Sequence, residues 1–426
     1  MPTNLLLPKV TAPGHHPAPN KLSGPVASPL RTRTLFGWAL FITAAQILFA
    51  MLLSSQGSIS AAWRSLYQWD GGWFQSIVDG GYVAPDTLTP TDHGNVAFFP
   101  GYPLLARSLK NLFHLDGQAA LLMTAQLACC GAWFYALLLL RSWNVSPGNI
   151  LVAVVLVAVH PASFFMVASY SEPLFLMTML GYVYWSQRSG PLAKCLAAVH
   201  GFAMTATRLV GIAVIVYPVL QTWLASVEQF TWRKLCQSVL VAAFAALGAG
   251  AFFAFCHFYF GRWDLYVQTE AVAWGVKPDY LALFRRHTYG LSYLDLPRYY
   301  SQPDFLSRVA VPATVALFAL MGVLEMRSLL SGNASGWRDR LPLLLCAFGP
   351  FYIAACGHAR RDMGSQIRHS QCVYVLLVLF AAHLWARNPA MLRPKWVRAL
   401  LIVWSAASLS LEITMAHRFT HGLWVA

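Results

Sequence analysis

Asp70 lies in the run Tyr67-Gln-Trp-Asp-Gly-Gly-Trp-Phe74, followed by Gly81-Tyr82 and then by Ala97-Phe-Phe-Pro-Gly-Tyr-Pro103. An acid, a cluster of aromatics and a proline-ordered turn therefore share one polar stretch of a chain that is 57% apolar and only 11% charged. Read as a helix, the stretch places Trp63, Leu66, Tyr67, Trp73, Phe74 and Ile77 at spacings of three and four, and the slot missing from that stripe is Asp70. Its carboxylate is expected to point toward protein or the membrane boundary. An inward acid beside aromatics suits a general base aimed at a hydroxyl, a role worth ~10²–10⁴-fold in rate; the competing reading is a helix cap or a surface acid. Asp79, nine residues on, falls on the opposite face, which argues against a tight carboxylate pair. Gly71-Gly72 would cost such a helix about 1 kcal/mol each relative to alanine, so a kink or a close backbone approach is expected there. Trp69, Trp73, Phe98, Phe99 and Tyr102 would bind a sugar face or sit in an interfacial aromatic belt.

The elements that must position these residues are membrane helices. Apolar runs at 34–53, 117–140, 149–166, 171–187, 193–225, 236–260, 306–328, 341–357, 371–387 and 397–416 are candidate spans, since a bilayer core takes about 20 residues of helix. The 193–225 run is too long, roughly 50 Å as one helix against about 30 Å of hydrocarbon. Arg208 near its middle would cost about 2.5–3.5 kcal/mol at mid-membrane, so it is expected to mark a break facing a polar cavity. Splitting the run gives eleven spans. With the N-terminus inside, that count puts Arg141, Arg188, Lys194, Arg233, Lys234, Arg338, Arg340, Arg387, Arg393, Lys395 and Arg398 on the cytoplasmic side. The loops 54–116, 261–305 and 358–370 and the turn 163–170 then share the extracytoplasmic face. Arg262, Lys277, Arg285, Arg286, Arg298, Arg360, Arg361 and Arg368 lie there too, against the charge rule and in favour of an anion to be bound.

Residues 1–33 are Pro-, Ser- and Thr-rich and basic, and read as a disordered cytoplasmic tail before a transmembrane domain over 34–426. The net charge of +14 is spread over short loops flanking apolar spans, which argues against nucleic-acid binding. The eight cysteines have no CxxC spacing and read as packing residues, as do His160 and His200. Asp92-His93 lacks further ligands at diagnostic spacing, so no metal or other cofactor is expected. Ala242, Ala246, Gly248 and Gly250 read as a close helix-packing face.

Trp69-Asp70-x-x-Trp73-Phe74 with Gly81-Tyr82 and Ala97-Phe-Phe-Pro100-x-Tyr-Pro-Leu104 resembles the signature of the PIG-V family of mannosyltransferases, within the GT-C superfamily. Three more stretches match in order. They are His160-Pro-Ala-Ser-Phe-Phe165 through Tyr170-Ser-Glu-Pro-Leu-Phe175, Thr205-Ala-Thr-Arg208-Leu-Val-Gly211, and Phe258-Tyr-Phe-Gly261 with Gln268 and Ala273-Trp-Gly275. The resemblance covers roughly residues 60–280, and the region around Arg368 is similar to the family's arginine segment only loosely.

The resemblance implies an all-α polytopic GT-C-like enzyme of about eleven transmembrane helices, with amphipathic helices in its first extracytoplasmic loop. It implies an inverting glycosyltransferase that takes a sugar, mannose first, from a polyprenyl-phosphate donor to a lipid or glycan hydroxyl. The family's first-loop acid corresponds to Asp70 as base. The leaving phosphate needs cations; Arg208 is the first candidate, followed by Arg360, Arg361 and Arg368. Trp69, Trp73, Phe99 and Tyr102 are the expected substrate contacts, and Glu172 either caps its helix or binds acceptor hydroxyls. The compact loops favour a bacterial inner membrane, or the endoplasmic reticulum in a eukaryote. The alternatives are another lipid-linked sugar, or a lipid or solute transporter, which should show paired repeats and several mid-membrane charges.

Overall fold

The computed structural model describes residues 31–224, 230–285, 305–330, 337–361 and 363–425, and every regular element in them is helical. The tail expected at 1–33 lies outside them except for its last three residues. Among the described residues, seven helices are long and apolar enough to cross a membrane. They are α1 (Thr32–Leu52), α5 (Gly117–Ser142), α10 (Trp232–Phe260), and most of α12 (Phe305–Leu330), α13 (Trp337–His358), α14 (Gln366–Arg387) and α15 (Lys395–Thr420). That architecture suits an integral membrane protein. Between them lie shorter helices, α6 (Pro147–Ala158), α7 (Glu172–Ser186), α8 (Pro191–Thr207) and α9 (Tyr217–Trp223). The span expected over 149–166 is only 12 residues of α-helix, because the chain turns at Val159 into a 3-10 turn over Ser163–Met166.

Local sequence explains where several helices begin. Asp116 and Ser146 cap α5 and α6 by accepting from Ala119 N at 2.8 Å and Asn149 N at 3.4 Å, and Pro147 supplies a preset first helical residue. Thr231 caps α10 through Lys234 N at 3.2 Å. Helix α10 stops at Gly261, which takes a left-handed φ of 73° that a side chain would resist.

Helix α14 is the central element. Its apolar window is 89% buried, against 22% for α15 and 28% for α12, so it is enclosed by neighbours where those two leave most of their apolar surface exposed. Helices α8 and α10 pack with backbones nearly touching: a Cβ on Gly248 would lie 2.0 Å from the Phe202 carbonyl oxygen. Thr205 locks the pair, its hydroxyl bonding Ala245 O and accepting from Ala249 N at 3.1 Å. All eight cysteines are free thiols; six, Cys129 and Cys130 of α5 among them, are buried as packing residues would be, whereas Cys195 and Cys236 are exposed and depart from that reading.

The chain reverses repeatedly, and hydrogen bonds sort its turns into two ends. At one end, Arg141 bonds Thr32 at 3.1 Å, Trp143 bonds Gln187 at 3.2 Å, and Gln187 bonds Tyr217 at 2.8 Å. The same end holds Asn388 on Ser328 at 3.2 Å and the buried two-point pair of Arg340 with Glu325, both contacts at 2.7 Å. At the other end lie the residues between α1 and α5, the 3-10 turn at Ser163, the break at Arg208 and the 3-10 turn over Ala359–Arg361.

Between α1 and α5 the chain forms α2 (Ile59–Arg64), α3 (Asp70–Gly80) and α4 (Gly101–Phe113). The expected helix through Asp70 is therefore interrupted. Tyr67, Gln68 and Trp69 leave the helical path, and Asp70 opens α3 as its first residue, which its charge favours at the positive end of the helix dipole. The loop after α3 is tied down by Asn95, which accepts from Val83 N at 2.9 Å and donates to Gly81 O at 3.1 Å and Ser76 Oγ at 2.9 Å. Gly94 is obligatory there: its φ is 65°, and a Cβ would sit 2.0 Å from Val83 O. Helix α4 is amphipathic and leaves Leu104, Leu105, Leu112 and Phe113 exposed. In the later loop, α11 spans Leu265–Ala273, while Arg286 and Arg298 fall outside the described residues.

Candidate active site

Four charged side chains from sequence-remote segments meet at the end of the bundle that carries Asp70. Arg368, in the first turn of the enclosed α14, donates to Asp70 Oδ2 at 2.6 Å, and its Nε lies 3.2 Å from Glu172 Oε1. Arg208 Nη1 lies 2.6 Å from the same Glu172 oxygen and 3.3 Å from Ser171 Oγ. Glu172 thus bridges two guanidiniums, and Arg368 bridges two carboxylates. Two arginines and two acids sum to a formal charge of zero, which is how four such groups tolerate burial together.

Exposure divides the cluster into a floor and a rim. The Glu172 and Arg368 side chains are 2% and 10% exposed, whereas Asp70 and Arg208 are 18% and 19% exposed. A ligand would therefore reach Asp70 and Arg208 first. The Arg368 guanidinium also stands 4.9 Å from the Tyr170 ring centroid and 5.8 Å from that of Phe165. Those aromatic faces add to the stabilisation of its charge.

Each position has a local cause. Helix α8 ends at Thr207; Arg208 itself is extended, at φ −152° and ψ 136°, and a 3-10 turn over Leu209–Ala213 follows. The break expected in the 193–225 run is present, and it lets Arg208 reach Glu172 at the start of α7. Asp70 is brought down by Gly71, whose absent Cβ would lie 2.5 Å from Ser169 Oγ and 3.0 Å from the Tyr67 ring. Gly72 has only the Tyr67 hydroxyl, at 3.9 Å, near the same position, so the close approach belongs to Gly71 alone. Burial, with Asp79 nearby, raises the Tyr67 hydroxyl above its usual range, which keeps it a donor to Gln75. Asp79 pairs with Lys110 at 2.6 Å, away from the cluster, as its helical phase requires.

Trp69 precedes Asp70 with φ 50° and ψ −106°, a conformation costing a non-glycine residue about 1–3 kcal/mol. Its half-exposed ring meets Trp424 edge-on at 5.3 Å. Trp73, three residues beyond Asp70, lies against Phe98, His93 and Trp274 at centroid distances of 6.0, 5.2 and 5.9 Å. These two tryptophans remain candidates for substrate contact. Phe99 and Tyr102 do not: Phe99 is packed on Phe252 and Tyr266, and Tyr102 is fully buried with its hydroxyl on Leu121 O at 2.8 Å. The proline turn that makes both conspicuous in the sequence aims them into the core.

Among the other expected residues, Glu172 is both first in its helix and central to the cluster. Arg360 is exposed on its turn, and the Arg361 side chain lies outside the described residues. His369 was not anticipated. Its Nδ1 sits 2.6 Å from Arg208 Nη2, and because arginine only donates, that nitrogen is the acceptor and the imidazole is neutral. The signal for it was adjacency to Arg368, which the pattern alone does not single out. His160 accepts from Ala162 N at 3.2 Å and His200 meets Leu196 O at 2.8 Å, both packing roles. His93 is buried between Trp73 and Trp274, and among the described residues no group of three or more His, Cys, Asp or Glu is arranged to hold a metal.

The arrangement offers a carboxylate at a rim for accepting a proton and a guanidinium beside it for an anion, both held by buried partners. No protein-family model matches this chain, and no curated protein matches it.

Proposed function

We propose that the protein is a multi-pass inverting glycosyltransferase, most simply a mannosyltransferase, that uses a polyprenyl-phosphate-linked sugar on the extracytoplasmic side of a membrane. The observation that carries the reading is the convergence of Asp70, Glu172, Arg208 and Arg368 at one end of an apolar helical bundle. A lipid-borne donor enters from the bilayer, so its reacting centre belongs among helices at the membrane boundary. In the reaction, an acceptor hydroxyl oxygen bonds to the anomeric carbon from the face opposite the phosphate. Its proton passes to Asp70, and the electrons of the breaking carbon–oxygen bond go to the departing phosphate. Arg208 stabilises that phosphate charge, while Arg368 fixes Asp70 through Oδ2 and leaves Oδ1 to meet the hydroxyl. Trp69 and Trp73 flank the acid where a sugar ring would stack. The eleven-pass topology and the GT-C assignment belong to this reading.

A transporter is favoured by one feature, the short helices reversing at Arg208, since broken helices with buried charges also build transport sites. The two readings separate in proteoliposomes given a panel of radiolabelled polyprenyl-phosphate sugars. Transfer of label to lipid or glycan acceptors supports the enzyme; no transfer from any donor, together with flux of lipid or solute, replaces it with the transporter.

A further inference from the structure

Outside this cluster, the C-terminal end of α15 places two histidines four residues apart, His417 in its last turn and His421 immediately after it. The His417 and His421 ring centroids are 4.1 Å apart with the planes tilted by 44°, and both side chains are exposed. Each Nδ1 faces a backbone carbonyl, His417 at 3.1 Å from Leu53 O and His421 at 2.7 Å from His417 O. A carbonyl oxygen only accepts, so each Nδ1 carries the proton. In a neutral imidazole the proton then leaves Nε2 as a free lone pair, in both rings at once.

That is the arrangement of metal-binding histidines, in which one ring nitrogen ligates while the other donates to a carbonyl and fixes the ring. Spacing of i and i+4 brings two such rings onto one ion. The C-terminal end of a helix also carries partial negative charge, which favours a cation there. The nearest basic neighbour in sequence, Arg418, is directed to Trp424 O at 3.5 Å.

We propose that His417 and His421 form a two-histidine site for a divalent transition-metal ion such as zinc, nickel or copper. Imidazole nitrogens select these ions over magnesium and calcium, and water or an oxygen ligand completes the coordination. Because His417 and Thr420 both bond Leu53 O, at 3.1 and 3.4 Å, the ion would pin the end of α15 to the end of α1. The pinned segment carries Trp424, whose ring meets Trp69. The site stands independently of the glycosyltransferase reading.

The test uses untagged protein carrying His15→Ala and His16→Ala, so that the histidine pair of the N-terminal tail is removed. Calorimetric titration with Ni²⁺ or Cu²⁺ should show one ion bound per chain. Binding should be lost in His417→Ala and in His421→Ala, and kept when the exposed His114 that follows α4 is replaced by alanine. Should either variant fail to fold, the electron paramagnetic resonance spectrum of Cu²⁺ on the parent protein decides. Two coordinating imidazole nitrogens support the site. No binding by the parent protein, binding that survives both substitutions, or a spectrum with one nitrogen or none overturns it.

Discussion

Arg368 is the residue whose removal should expose the logic of the charge cluster. In Arg368→Met, Asp70 loses its cation at 2.6 Å and Glu172 keeps only Arg208, so the cluster changes from neutral to a net charge of −1. Removing one partner of a buried pair costs about 3–5 kcal/mol, and with the Arg368 and Asp70 side chains 10% and 18% exposed the lower part of that range applies. Asp70→Asn should cost less, about 1 kcal/mol, because Arg368 retains Glu172 and an amide oxygen still accepts its hydrogen bond. In the double variant the surviving Glu172–Arg208 pair is neutral again. The two changes should therefore fall short of additivity by about 2 kcal/mol or more. Reversible unfolding in a denaturing detergent, or steric trapping in bicelles, measures all four corners of the cycle. Coupling in the range of about 0.2–1 kcal/mol would mark an ordinary exposed ion pair and refute the floor-and-rim description.

Other expectations follow from single contacts. Gly71→Ala should destabilise by about 1–3 kcal/mol through overpacking against Ser169 and Tyr67, whereas Gly72→Ala should be neutral or stabilise by up to ~1 kcal/mol; thermal melts of the two variants check the contrast. His369→Phe removes the acceptor of Arg208, so it should impair any transfer reaction while His369→Asn, which keeps an acceptor, retains more of it, as a rate comparison would show. The Arg64–Asp116 contact holds the Asp116 carboxyl below its ordinary value of 3.8. A depressed acid adds stability above its ordinary value and loses it as pH falls through the folded one. Asp116→Asn should accordingly flatten the acid side of the melting profile.

The sequence made some of this legible for physical reasons that can be named. Arg208 announced its break because an apolar run of that length cannot cross a bilayer as one helix with a guanidinium at its centre, and the chain does turn there. Asp70 points inward as the stripe requires, yet by a different route. Periodicity assumes a continuous helix, and the left-handed backbone at Trp69 is a tertiary outcome that no spacing rule encodes. Phe99 and Tyr102 were misplaced because an aromatic beside a proline turn looks the same whether it faces a cavity or the core. The pairing of Arg368 with Asp70 spans almost 300 residues and joins a segment of weak resemblance to one of strong resemblance, so only folding brings the two together. His369 shares that obscurity. Its role follows from Arg208, across 161 positions.

In the proposed reaction, Asp70 accepts the acceptor's proton as sugar leaves a lipid phosphate. The direct measurement is the initial rate of label transfer from radiolabelled polyprenyl-phosphate mannose by purified, reconstituted protein, comparing the parent with Asp70→Asn of matched melting behaviour. The parent should transfer label, and the variant should be slower by about 10²-fold or more. Full transfer by a correctly folded Asp70→Asn protein would contradict that role for Asp70.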